Sequence, residues 1–575
     1  MSIKVSDYIA EFIRAQEINH VFEVAGGMIT HLLDSIYRLG YTNIISVHHE
    51  QAAAFAADAC GRYTKKPGIA LATSGPGATN LLTGIGSCYF DSSPALFITG
   101  QVNTHEQKGD RFIRQLGFQE TDIVSMAKPI TKKCFAIESR DQIESVMYEA
   151  YALAINDRPG PVLIDIPMNI QRSEINPSPI RVIERTSTHH NLSQTLSQLA
   201  AAIEQSKRPL ILLGRGVPAS TDQDTWHRFI DLMHIPVVTS LLAVDALPYH
   251  HELRVGMIGT YGNRWANLAL GTADLLIVIG SRLDIRQTGA HVDAFQKGKI
   301  IFHVDCNEHE INNRIKHCIP IISDAKNFID EANHYFALNP SKSHLEWLNE
   351  INHAHKQWPD THELKNFNGI NPNSFMHALS QASEKAIAYV ADVGNHQMWA
   401  AQSLEMNANQ LFITSGGMGA MGFALPAAIG VSLSSQKKPI VAIIGDGAFQ
   451  LNIQECQTLI RNKLPIKIVI INNQSLGMIR QFQDSYFEGR YQSTYWGYST
   501  PDFEKIAIAY GIPAHTISKP NEINHGLSQL WENENQPFLL QVMIDAKMNV
   551  FPKIAFGKPI TEMEPFAKPD MVEST

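Results

Sequence analysis

The chain has 575 residues, is 44% hydrophobic and carries a net charge of −9; its length predicts roughly three to four units of about 150 residues, and its charge gives no footing for nucleic acid. No apolar run reaches the ~18 residues of a membrane span, and the acidic, amphipathic start has no signal-peptide pattern. Six scattered cysteines without a C-x-x-C pair fit reduced thiols, not a disulfide framework or zinc site, so a cytoplasmic protein is expected.

Residues 1 to about 180 alternate helix and strand. An amphipathic helix at Val5–Gln16 precedes a short strand, His20–Val24, that ends in Gly26-Gly27. A strand at Ile44–Val47 runs into His48-His49-Glu50, and an alanine-rich helix, Gln51–Tyr63, follows. Strands at Gly68–Ala72, Ala95–Thr99 and Val162–Ile166 complete a doubly wound α/β unit. Glu50 falls where a strand hands over to a helix, among apolar neighbours. Such a carboxylate is either partly buried with a raised pKa or an ordinary helix N-terminal residue stabilised by the dipole. The Gly75-Pro76-Gly77 turn opens a helix and serves either as an anion cradle or for close packing; the structural use is expected first. The loop from Gln101 to Glu120 contains Lys108, Arg111 and Arg114, which are either solvated charges or a phosphate clamp.

Residues about 172 to 190 are polar and proline-containing and read as a linker. The span 190–345 is a second α/β unit, with strand-like runs at Pro209–Gly216, Leu275–Arg282 and Lys299–Asp305. A glycine turn followed downstream by a strand ending in an acid suits nucleotide binding, although a lone Gly-x-Gly is weak. A charged stretch, about 340 to 372, leads to a third unit at 370–550, where Ala388–Val393 runs into Gly394-Asn395-His396. The end, 551–575, reads as a lid or loose tail.

The third unit holds the most specific pattern. An apolar run, Ile440–Ile444, ends in Gly445-Asp446-Gly447; a helical pattern with Phe449, Ile453, Cys456, Leu459 and Ile460 on one face follows; a second run, Ile466–Ile471, ends in Asn472-Asn473. A right-handed strand–helix–strand unit of this length brings both strand ends to one sheet edge. Asp446 and Asn473, 27 positions apart, then lie side by side, and one carboxylate with one amide oxygen suits Mg²⁺ beside a substrate phosphate. The glycines allow close backbone approach.

Gly445-Asp446-Gly447, 24 residues and then Asn472-Asn473 resembles the motif of the thiamine-diphosphate enzymes of the pyruvate-decarboxylase and acetolactate-synthase superfamily. His49-Glu50-Gln51-Ala52-Ala53, Phe118-Gln119-Glu120-Thr121, Gly394 to Trp399 and Thr414 to Phe423 resemble further segments of that family, and the likeness covers about residues 1 to 550. It implies three doubly wound α/β domains with parallel sheets: pyrimidine-binding (1–180), FAD-binding-like (190–345) and diphosphate-binding (370–550). It implies Asp446, Asn473 and the Ser475 carbonyl as Mg²⁺ ligands. Cofactor contacts would come from Val393, Gly394, Asn395, His396, Met398, Gly419, Met421, Gly445, Gly447, Ala448, Leu476, Gly477 and Met478. Glu50 would bond the cofactor's aminopyrimidine ring, with Gly27, Phe118 and Gln119 on the reactant side. FAD, structural because carboligation needs no net redox step, would contact Gly214, Gly216, Gly256, Met257, Gly280, Arg282, Arg286, Asp305 and Asp324.

The implied reaction decarboxylates pyruvate and joins the two-carbon unit to an acceptor carbonyl, in a homodimer or homotetramer with the site at the subunit contact. The basic loop is longer than the family's usual one, and Phe482 stands where relatives generally carry tryptophan. Both features favour the keto group of a nucleotide-linked deoxysugar as acceptor; a second 2-ketoacid, giving acetolactate, is the alternative, and a flavin-dependent pyruvate oxidase a further one.

Overall fold

The computed structural model describes residues 2–186, 191–365 and 367–570; the last residues of the expected linker and tail lie outside these. Three six-stranded sheets organise the chain, and every strand pairing within them is parallel. The N-terminal sheet places side by side Asn43–Ser46, His20–Glu23, Gly68–Ala72, Ala95–Gln101, Pro161–Pro167 and Lys133–Ala136. The C-terminal sheet runs Leu411–Thr414, Ala388–Ala391, Ile440–Gly445, Ile466–Asn472, Phe538–Met543 and Ala514–Ile517. Counted in chain order within each sheet, both are 2-1-3-4-6-5. The central sheet, Arg254–Met257, Val237–Thr239, Pro209–Leu213, Leu275–Ile279, Ile300–Asp305 and Ile319–Ile322, is 3-2-1-4-5-6, the dinucleotide-binding order. Ile440–Gly445 and Ile466–Asn472 are buried along their whole length, which is why they read as unbroken apolar runs.

The first and third sheets share one core. The helix Glu50–Thr64 packs on the helix Ala424–Ser434, with Phe55 edge-on to Phe423 at 5.3 Å. Alanines on the first helix and Gly430 on the second permit this approach; a Cβ on Gly430 would fall 2.2 Å from the Ala56 carbonyl oxygen.

Three expectations need correction. The single helix after Gly445 is two short ones, Asp446–Phe449 and Glu455–Arg461. It breaks where Asn452 Nδ2 donates to the Gly422 carbonyl (2.8 Å) and to Gln51 Oε1 (3.2 Å). The stretch 340–372 contains a helix, Leu345–Gln357, seated on the central unit by buried Trp347, whose Nε1 donates to the Pro209 carbonyl at 3.1 Å. The described part of the tail is not loose: Lys553–Ile554 pairs with Met563–Glu564, and Ile554, Ile560 and Met563 are buried against the central unit. Arg264, paired with Glu363, also donates to the Glu564 carbonyl.

Candidate active site

In the C-terminal sheet the strand order reverses between Ala388–Ala391 and Ile440–Gly445, and open α/β sheets bind ligands at such a point. A cavity of about 380 Å³ opens there. It is lined by Val393, Gly394, Asn395, His396, Met398, Gly419, Met421, Gly445, Asp446, Gly447, Ala448, Asn473, Ser475, Leu476, Gly477 and Met478, with Leu241, Tyr261 and Arg286 from the central unit. The register Gly445↔Ile471 brings the Asp446 and Asn473 ends to the same edge. Gly394, at φ +154°, could take no side chain: a Cβ would lie 2.7 Å from His396 Cε1.

His396 Nε2 accepts the Gly445 N–H at 3.1 Å. An accepting ring nitrogen requires a neutral imidazole, in line with burial pushing this group down to about 3. Burial pushes the Asp446 carboxyl up to about 7, against the pull of the Tyr498 hydroxyl and nearby backbone N–H groups. Tyr498 donates to Asp446 Oδ2 at 3.1 Å; among the described residues no cationic side chain pairs with it. Asn395 Oδ1, on the same wall, is buried without a partner. A buried, cation-less carboxylate beside an amide and an unpaired amide oxygen fits Mg²⁺ held with a diphosphate. Among the described residues no cluster of three or more His, Cys, Asp or Glu side chains could hold a metal, so any cation here depends on that mixed set.

The residues expected on the reactant side gather at the reversal point of the N-terminal sheet, between His20–Glu23 and Gly68–Ala72. Glu50 opens its helix and is 8% exposed; Asn80 Nδ2 donates to its Oε2 at 2.9 Å. Gln119 takes φ +65° and packs on Gly75, where a Cβ would come within 3.0 Å of Gln119 Cβ. Gly27 starts a single 3-10 turn with free space where a Cβ would go. Phe118 is exposed. None of these lines the 380 Å³ cavity. Lys108, Arg111 and Arg114 line neither cavity; Arg111 donates back to the Gln107 carbonyl, and Glu120 holds the loop closed through the Lys108 and Leu116 N–H groups. Phe482 is half-exposed and packs on Tyr486 at 4.5 Å.

A second cavity, of about 420 Å³, occupies the reversal point of the central sheet. Gly216, Met257, Gly280, Arg282, Arg286, Asp305 and Asp324 line it. Gly214 and Gly256 do not: a Cβ on Gly214 would fall 2.1 Å from the Gly280 carbonyl oxygen, and one on Gly256 2.7 Å from Asn263 Oδ1, so these glycines serve chain packing. Asp324 has both oxygens engaged, one by the Lys326 N–H as a helix cap and one by Arg185 at 3.0 Å. An acid at two strand ends, arginines between and glycines at the crevice fit an adenine dinucleotide. Leu241, Tyr261, Arg286, Met398, Gly416, Met418 and Gly419 line both cavities.

Sequence reasoning missed Asn80, Tyr498, Tyr261 and Asp91. Asn80 closes the Gly-Pro-Gly segment and could have been found there; the others carry no local signal. Asp91 accepts the N–H groups of Gly416 and Gly417 at 3.0 and 2.6 Å.

Three family models match the chain. "Thiamine pyrophosphate enzyme, N-terminal TPP binding domain" covers residues 3–126, the central domain of the same enzymes 196–332, and their C-terminal TPP binding domain 392–542. With the cavity at the third sheet's reversal point, these define a thiamine-pyrophosphate enzyme. The acetolactate synthase large subunit of Lactococcus lactis is 35% identical over 97% of this chain and 95% of its own. The isozyme 2 large subunit of Escherichia coli is 34% identical over 97% and 98%, and acetolactate synthase 2, chloroplastic, of Nicotiana tabacum 34% over 96% and 84%. The chain belongs to the acetolactate synthase large-subunit family.

Proposed function

We propose that the protein decarboxylates pyruvate and joins the two-carbon unit to a second 2-ketoacid. The observation that carries this is the gathering of Gly394–His396, Asp446, Asn473 and Ser475 around one cavity, in a chain that matches acetolactate synthase large subunits nearly end to end. The keto-sugar acceptor favoured from the sequence is set aside: its cationic loop lines neither cavity, and the relatives named above are acetolactate synthases.

Asp446, Asn473 and the Ser475 carbonyl would hold Mg²⁺, and Met398 and Met421 would support the cofactor's apolar part. When bound, thiamine diphosphate supplies an acidic ring carbon and an electron sink for the decarboxylation. Neutral His396 fixes the Gly445 strand end through the accepted N–H. Leu241 and Tyr261 close the cavity wall and keep water from the reacting carbon. Glu50, anchored by Asn80, would bond the pyrimidine ring and hold or pass a proton at its carboxyl; Gln119 and Phe118 would position the reactants. Because Glu50 is absent from this chain's own cavity wall, a second copy brings it, in a homodimer or homotetramer. FAD would occupy the 420 Å³ cavity in a structural role.

Incubation of the purified protein with pyruvate, Mg²⁺ and thiamine diphosphate tests the reading. Acetolactate should form with no further acceptor. Turnover only when a keto-sugar nucleotide is added, or flavin bleaching by pyruvate at turnover speed, would refute it.

A further inference from the structure

The edge that presents Asp446 and Ser475 is braced by a segment outside the motif. After the helix Gly477–Tyr486 the chain doubles back beneath it. The Thr494 carbonyl accepts from both Ser475 Oγ and the Leu476 N–H, each at 2.9 Å. Thr494 is buried, and its hydroxyl donates to Gln483 Oε1, while Gln483 Nε2 donates to the Gln492 carbonyl at 3.1 Å. Four residues further on, the Tyr498 hydroxyl reaches Asp446 Oδ2. One strap thus touches the Asp446 carboxylate and the side chain of Ser475, two of the three residues expected to hold the cation. Tyr498 is not in the cavity wall, so it approaches Asp446 from outside the space a ligand would fill.

We propose that Tyr498 is a positioning residue for the divalent cation: its hydroxyl fixes one oxygen of the Asp446 carboxylate and leaves the other to the metal. This rests on the thiamine-diphosphate reading above. A neutral donor suits the task. A lysine or arginine at this place would compete with the cation for the carboxylate, whereas a phenol orients it without cancelling its charge. Outer contacts of this kind typically change metal affinity by about 10- to 100-fold.

The test is Mn²⁺ binding, followed by the electron paramagnetic resonance of the free ion, to full-length apoprotein with saturating thiamine diphosphate. Tyr498→Phe removes one oxygen and keeps the ring. Its Mn²⁺ dissociation constant should rise about 10- to 100-fold, and excess Mg²⁺ should restore turnover. A dissociation constant equal to the wild-type value would overturn the inference, as would a variant that only melts at lower temperature while binding Mn²⁺ normally. Wild-type protein that binds no Mn²⁺ would instead sink the cofactor assignment, and this inference with it.

Discussion

Arg62 lies outside the two cavities, at a buried junction between the first and third units. It is 3% exposed, and its partners Asp58 and Asp91 are fully buried. Its guanidinium donates to Asp58 Oδ1 (2.6 Å) and Oδ2 (3.0 Å), Asp91 Oδ2 (2.9 Å), Ser93 Oγ (2.8 Å) and the Thr414 carbonyl (2.7 Å). Arg62→Met keeps the apolar stem and strands two buried carboxylates. Breaking a buried pair from one side costs about 3–5 kcal/mol. A chain with three sheets need not unfold in one step, so the measurement is the first transition in urea, followed by far-UV circular dichroism on apoprotein. The pH dependence is diagnostic. Burial already holds the Asp91 carboxyl above its ordinary value with Arg62 present; without the cation it rises further. A group whose folded pKa is raised loses stability as pH climbs from the unfolded value, ~3.9, through the folded one. The deficit of the variant should therefore be smaller at pH 5 than at pH 8. A loss below about 1 kcal/mol, the scale of an exposed pair, or an equal deficit at both pH values would refute the reasoning. Because Asp91 anchors the Gly416 and Gly417 amides, the same variant should also retain cofactor poorly.

Glu50→Gln should lower acetolactate formation by about 10²- to 10⁴-fold, the usual share of proton transfer, and mixing it with an equal amount of Asp446→Ala should restore about a quarter of the sites if subunits exchange and pair symmetrically; no recovery in exchanged subunits would place each site within one chain. Gly216→Ala puts a Cβ 2.7 Å from Gly280 Cα, so the purified variant should carry less flavin than the wild type by absorbance; equal content would deny the 420 Å³ cavity that ligand. His377 lies between Asp360 (2.9 Å) and Glu405 (2.8 Å). Burial alone would lower its pKa, yet the two carboxylates hold it above 6.5. Its contribution is complete below that value and lost as pH rises through the folded one. Asp360, which burial would raise, is held below 3.8 by His377 and Ser403, and its contribution is lost only in strong acid. The apoprotein melting temperature should therefore fall from pH 6 to pH 9, and His377→Asn should flatten that slope; an unchanged slope would assign it elsewhere.

The pairing of Asp446 with Asn473 was legible because it is topological. Two apolar runs joined by one crossover have a fixed hand, so the residues ending each run share an edge whatever the connecting helix does. That helix breaks at Asn452 without disturbing the edge. Contacts made by chance of folding are silent in the sequence. Tyr498 reaches Asp446 across 52 positions, and Arg62 reaches Thr414 across 352. Lys108, Arg111 and Arg114 stayed open between solvated charges and a phosphate clamp because charge is visible in a sequence and direction is not. Gly214 and Gly256 misled for a related reason: a missing Cβ leaves room equally for a phosphate or for neighbouring backbone.

The matching strand orders of the first and third sheets give the proposed assembly its physical basis. In each sheet the order reverses between the first and third strands; that edge carries Glu50 and Gln119 in one sheet, Asp446 and Asn473 in the other. Within the chain the two units are joined through the alanine face of Glu50–Thr64 and the helix Ala424–Ser434, a contact tight enough to need Gly430. The seam spends the side of the Glu50 helix that faces the third sheet on packing, with Gln51 tied to Asn452, and Glu50 itself stays off the cavity wall. A two-fold contact would set each Glu50 edge against the other copy's Asp446 edge and would complete two sites by a single operation.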